Sequence, residues 1–97
     1  MDQRRLEIAR GLCADPCVLL LDEPAAGMSA IDVAGLVSLI RGIGQAGVTV
    51  VLVEHHMDVV MTVADIVTVL DYGRVIAEGP PREVATDSRV IEAYLGA

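Results

Sequence analysis

The chain has 97 residues, enough for one small domain, and its net charge of −7, with arginine as the sole basic residue type, excludes the basic face that nucleic acid or an anionic membrane requires. Hydrophobic residues reach 54% and mean hydropathy is +0.57 without any Trp or Phe, so the core must be aliphatic, and some apolar surface is expected to pack against material outside the chain. The amino terminus, MDQRRLEIARG, is charged where a secretory signal is apolar, and no apolar run nears the ~20 residues of a membrane span, so a cytoplasmic location is expected.

Residues 2–13 read as a helix with Leu6, Ala9, Leu12 and Cys13 on one face. Ala14-Asp15-Pro16 ends it, because the residue before a proline avoids helical geometry. Cys13 and Cys17 lack a second cysteine pair, which argues against zinc and for ordinary buried thiols. Residues 17–21 form an aliphatic strand, and 24–30 a loop containing Gly27. A helix over roughly 31–45 follows, with Val33, Leu36, Val37, Ile40 and Ile43 at helical spacing and Gly47 as its stop. Val48–Val53 is a second apolar strand, tipped by Glu54-His55-His56. A short helix near 57–64 leads to a third strand, 66–70. Asp71-Tyr72-Gly73 turns the chain into a hairpin partner, 74–77, and two short helices near 82–86 and 88–95 complete it. Near-continuously apolar strands separated by helices predict an α/β fold, with a parallel sheet covered on both faces. Residues 1–97 are expected to form a single domain.

The stretch CVLLLDEP ends in two adjacent carboxylates at the strand's tip. In open parallel sheets, ligands bind beyond the carboxyl ends of the strands. Asp22 and Glu23 lie there on one strand, and Glu54, His55 and His56 on the next. An acidic pair suits a hydrated Mg²⁺. A second carboxylate can orient or deprotonate a water attacking phosphorus, and a histidine can donate a hydrogen bond to phosphate oxygens. A single acid after a strand would be an ordinary turn or cap residue; the Asp-Glu-Pro run with a histidine at a second strand tip favours a functional site.

LLLDEP resembles the Walker B motif of ABC-transporter ATPases. QRRLEIARGL resembles the helix after their signature motif, Ala26-Gly27-Met28-Ser29 their D-loop, and VLVEHH their switch-histidine loop. VLDYGRVIAEGPPREV resembles the hairpin and helix that come next, and VIEAYLGA the ending of branched-chain amino-acid importer ATPases. The resemblance implies a partial P-loop NTPase sheet with a C-terminal hairpin. It also implies ATP and Mg²⁺ as cofactors of the family, with Asp22 holding the metal through water. Glu23 would be the general base and His55 a contact to the γ-phosphate. The D-loop would face a second ATPase subunit, and permease subunits would hold the assembly at the inner membrane face. His56 stands where the family usually has Asp and reads as a surface substitution. Ser29 stands where many members have Asp or Asn.

The phosphate-cradling loop of that family, GxxxxGK[ST], does not occur, and a chain without lysine cannot supply it. The adenine-stacking aromatic, the Q-loop and most of the signature motif are likewise absent. The chain therefore reads as the second half of such an ATPase, expected neither to hydrolyse ATP nor to bind it tightly by itself, and to self-associate over its bare sheet. The rival reading is a non-catalytic module that docks on itself or on full-length ATPases. A receiver-type phosphotransfer domain would also put acids at strand ends, but it needs a lysine near them.

Overall fold

A computed structural model describes residues 2–94. The chain divides after Val59 into two compact units. In the first, α1 (Asp2–Cys13) leads into β1 (Val18–Asp22), α2 (Ala30–Gln45) and β2 (Thr49–Val53). α3 (Met57–Val63) follows. The second unit carries β3 (Val67–Asp71), β4 (Arg74–Gly79), α4 (Pro81–Ala85) and α5 (Ser88–Tyr94).

α1 buries Ile8, whereas Leu6 is 53% exposed, and Ala9 and Cys13 are also exposed. The face anticipated through Leu6, Ala9 and Cys13 is thus displaced to Ile8, Gly11 and Leu12. Gly11 explains the shift: a Cβ there would stand 2.9 Å from Leu19 Cδ1, so its absence lets the helix lie close on β1. The helix ends with the Asp15 amide donating to the Leu12 carbonyl at 2.9 Å and Asp15 at φ 53°. Cys13 and Cys17 flank this turn and are both exposed. The expectation of buried thiols fails because the turn carries them off the packed faces.

α2 opens on Ser29, whose side chain accepts a hydrogen bond from the Asp32 amide at 3.2 Å. That satisfies one of the donors a helix start leaves unpaired. Leu36, Ile40 and Ile43 are its buried stripe, the spacing read from the sequence. The helix closes at Ala46, and Gly47 follows at φ 98°, a conformation that favours glycine.

β1 and β2 are parallel neighbours, with Val18 opposite Thr49 and Asp22 opposite Val53. Burial alternates along β1: Leu19 and Leu21 are buried, Val18 and Leu20 are 57% and 64% exposed. Val51 and Val53 are exposed on β2. The expectation of strands covered on both faces is corrected. Period-two alternation turns half of each aliphatic run inward, and the other face has no cover among the described residues.

In the second unit, β3 and β4 form an antiparallel hairpin with a register shift between Val69 and Leu70. Its turn residues, Tyr72 and Gly73, take φ of 50° and 76°, the double left-handed geometry that matches strand twist in two-residue hairpin loops. Thr68 donates to Glu78 across the strands at 2.6 Å. Val67, Val69, Ala77, Val84 and Val90 form the core, with Val60, Met61, Ala64 and Ile76 packed on it. The Tyr94 hydroxyl donates to the Leu70 carbonyl.

Candidate functional site

Parallel pairing brings the two strand tips together. The first bond beyond β1 runs from the Glu23 amide to the Val53 carbonyl at 2.7 Å. It extends the ladder by one step and fixes where each chain leaves the sheet. At that step Glu23 enters the left-handed region, φ 47°, which costs a side-chain-bearing residue about 1 kcal/mol or more. The chain then turns at Pro24 and Ala25, with the Ala26 amide bonded to the Glu23 carbonyl at 3.2 Å. Glu23 is therefore the hinge between strand and loop.

His55, just past β2, sets its Nδ1 2.6 Å from Glu23 Oε1. Both side chains are half-exposed, at 61% and 50%, so the pair faces solvent. Asp22, also exposed, lines a recess of about 160 Å³ with Arg4, Glu7 and Pro24. The structure thus joins Glu23 directly to His55, while Asp22, the preceding residue at the end of β1, faces the recess with Arg4 and Glu7. Ala26 and Gly27 are exposed in the following turn, Met28 is half-buried, and Ser29 caps α2.

Glu54, read from the sequence only as one of the ionisable groups at the strand tips, has a bracing role of its own. Its side chain has no solvent exposure. Oε2 accepts the Ala25 amide at 3.1 Å, bridging from β2 to the loop after β1. Oε1 accepts the amides of His55 at 3.0 Å and His56 at 3.3 Å, and lies 2.7 Å from His56 Nδ1. Burial pushes this carboxyl up, but the hydrogen bonds from His56, Ala25 and His55 outweigh it and hold it below the usual glutamate range. The signal for it was present as a carboxylate directly ending an aliphatic strand; its neighbours' imidazoles drew attention away. His56 is exposed, as read from the sequence, and in addition touches Glu54 and stacks on His55 with ring centroids 4.5 Å apart.

The arrangement offers a solvent-facing carboxylate held by an imidazole, a second exposed carboxylate on the preceding residue, and a buried carboxylate bracing the loops at both strand tips. It can accept a proton from water at Glu23 Oε and present oxygen ligands to a hard cation at Asp22.

Known proteins resemble this chain in sequence and fold. A family model described as "Branched-chain amino acid ATP-binding cassette transporter" matches residues 74–97. The high-affinity branched-chain amino acid transport ATP-binding protein BraF of Pseudomonas aeruginosa is 43% identical over 95 residues, 97% of this chain and 37% of that protein. LivG of Escherichia coli, with the same description, is 42% identical over 98% of this chain and 38% of its own length. The ADP conformation of MJ1267, an ATP-binding cassette of an ABC transporter, superposes with a TM-score of 0.86 at 30% identity, covering 97% of this chain and 39% of that one.

The chain resembles the C-terminal part of an ABC-transporter ATP-binding subunit. It spans less than two-fifths of the length of BraF and LivG. Its α/β fold is that of the ABC ATP-binding cassettes it superposes on. No helix among the described residues is long and apolar enough to cross a membrane.

Proposed function

We propose that this chain supplies the hydrolytic edge of an ABC ATPase site that powers branched-chain amino-acid import. The observation that carries the reading is the 2.6 Å contact between Glu23 and His55 at the tips of paired strands. Glu23 would accept the proton of the attacking water at its carboxylate. His55 would orient that carboxylate and reach the terminal phosphate. Asp22, an exposed oxygen donor at the same strand end, fits Mg²⁺ held through water, and bound Mg²⁺ would neutralise phosphate charge. The loop 26–29 would face a second ATPase subunit, and the assembly would sit at the cytoplasmic side of the membrane against permease subunits. ATP itself fits this chain poorly. Positioning and charge neutralisation supply most of the catalysis in phosphoryl transfer, and the sequence has neither GxxxxGK[ST] nor lysine. The isolated chain is therefore expected to be inactive, and its residues to act only when a phosphate-binding segment is joined to them.

The test is a chimera in which these residues replace the matching portion of a full-length relative such as BraF. Hydrolysis that Glu23→Gln lowers by about 100-fold or more, as loss of a general base should, supports the reading. A chimera whose turnover ignores both Glu23→Gln and His55→Ala would end it.

A second reading is a self-associating module without chemistry, favoured by the exposed Val18, Leu20, Val51 and Val53 on β1 and β2. An uncovered apolar sheet face and unpaired strand edges invite a second copy. Light scattering separates the two: a dimer that Leu20→Glu dissociates supports the module, and a monomer at high concentration excludes it.

A further inference from the structure

We propose that Glu54, His55 and His56 form a binding site for a divalent transition metal of the zinc class. The inference does not depend on the ATPase reading.

One donor atom from each of Glu54, His55 and His56 lies within 4.8 Å of the others. The two imidazoles stack with an interplanar angle of 28°. Their Nδ1 atoms lie 4.0 Å and 2.7 Å from the same oxygen, Glu54 Oε1. His56 contacts that oxygen directly, while the His55 Nδ1, engaged at 2.6 Å by Glu23 Oε1, lies further from it. Tetrahedral zinc bonds of 2.0–2.2 Å put neighbouring donors about 3.3–3.5 Å apart. The two observed spacings bracket that value, and all three donors lie within 4.8 Å of one another, so modest side-chain shifts close the set.

The carboxylate is organised for this role. Its Oε2 is tied to the Ala25 amide and its Oε1 to the amides of His55 and His56, which fixes its direction, the kind of outer support that metal ligands have, while the metal would take the place of the His56 Nδ1 contact on Oε1. Its desolvation is already incurred in folding, since the side chain has no exposure. The desolvated Glu54 carboxylate is a negative charge that a dication would offset. Mixed imidazole and carboxylate donors select zinc, cobalt or nickel over magnesium, which takes oxygen.

The sequence has only two histidines, so every imidazole response reports this site. The exposed thiols of Cys13 and Cys17 would also attract such metals, so the test uses the full chain with Cys13→Ser and Cys17→Ser. Co²⁺ is titrated by visible absorption and Zn²⁺ by calorimetry. One ion per chain is expected, with tetrahedral Co²⁺ bands. His56→Asn and His55→Asn should each weaken binding by about tenfold or more, with far-UV circular dichroism unchanged. Should a variant lose its fold, imidazole nitrogen NMR on the histidine-intact chain reads the same point, because zinc must shift both Nδ1 resonances. Absent cobalt bands, unmoved imidazole resonances, or affinity retained when both histidines are replaced would each overturn the proposal.

Discussion

Replacing Glu54 tests whether one buried carboxylate holds the two strand tips together. In Glu54→Ala the Ala25 amide loses its acceptor, and Ala25 is only 1% exposed. An orphaned buried donor costs about 1–3 kcal/mol. The amides of His55 and His56 and the His56 ring lie at exposed residues, where water replaces most of what is lost, adding about 1 kcal/mol together. The total is about 2–4 kcal/mol. At a urea slope of about 1–1.5 kcal/mol per molar for a small chain, the midpoint should fall by roughly 2 M. Glu54→Gln keeps an oxygen for the Ala25 amide and should cost about 1 kcal/mol. Acidity adds a second signature. The folded Glu54 value is depressed, so its contribution is full above the unfolded value and disappears as pH drops through the folded one. The gap between the unsubstituted chain and Glu54→Gln should therefore narrow below the ordinary glutamate value of 4.5. If Glu54→Ala moves the midpoint no further than the surface control Glu92→Ala, and the Ala25 amide keeps its hydrogen-exchange protection, the bracing role is refuted.

Ser29→Ala should cost about 1 kcal/mol in thermal or urea unfolding through loss of the α2 cap, and Ser29→Asp should not, since aspartate caps equally well. Gly42→Ala should stabilise by about 0.5–1 kcal/mol in the same assay, because a Cβ there, in the last turn of α2, meets nothing within 4 Å. At the left-handed position 23, Glu23→Asn should be more stable than Glu23→Gln by about 0.5–1 kcal/mol, as asparagine tolerates that geometry and glutamine does not; equal midpoints would mean the backbone there carries no strain.

The helices and strands were legible because their signals are local. The α2 stripe, the Gly47 stop and the Tyr72-Gly73 turn each follow from a few residues and their spacing. The convergence of Glu23 and His55 was legible once the two apolar runs were read as parallel neighbours, since both tips must then share an edge. What escaped were properties set by distant partners. The sequence cannot tell which half of an aliphatic run a sheet leaves bare, so Leu20 and Val51 were read as buried. The α1 face hinged on a glycine accommodating Leu19, a contact eight residues away that no helical period reveals. Glu54 looked like one more charged tip residue, because its chief partner is an amide 29 positions earlier. Ser29 has a local role that residues of its type share: serine, aspartate and asparagine all cap helices, so the departure from the family's residue preserves α2.

The pairing of β1 with β2 also sets a timetable. Val18 must find Thr49, and Asp22 must find Val53, across the whole of α2, whereas Asp71 meets Arg74 across a two-residue turn. Closing the longer span demands more chain entropy before any ladder bond forms, and such non-local contacts slow folding. On a ribosome, residues 18–22 must wait unpaired until residue 53 has cleared the exit tunnel, with their aliphatic side chains open to chaperones meanwhile. The hairpin of the second unit emerges later yet can close at once.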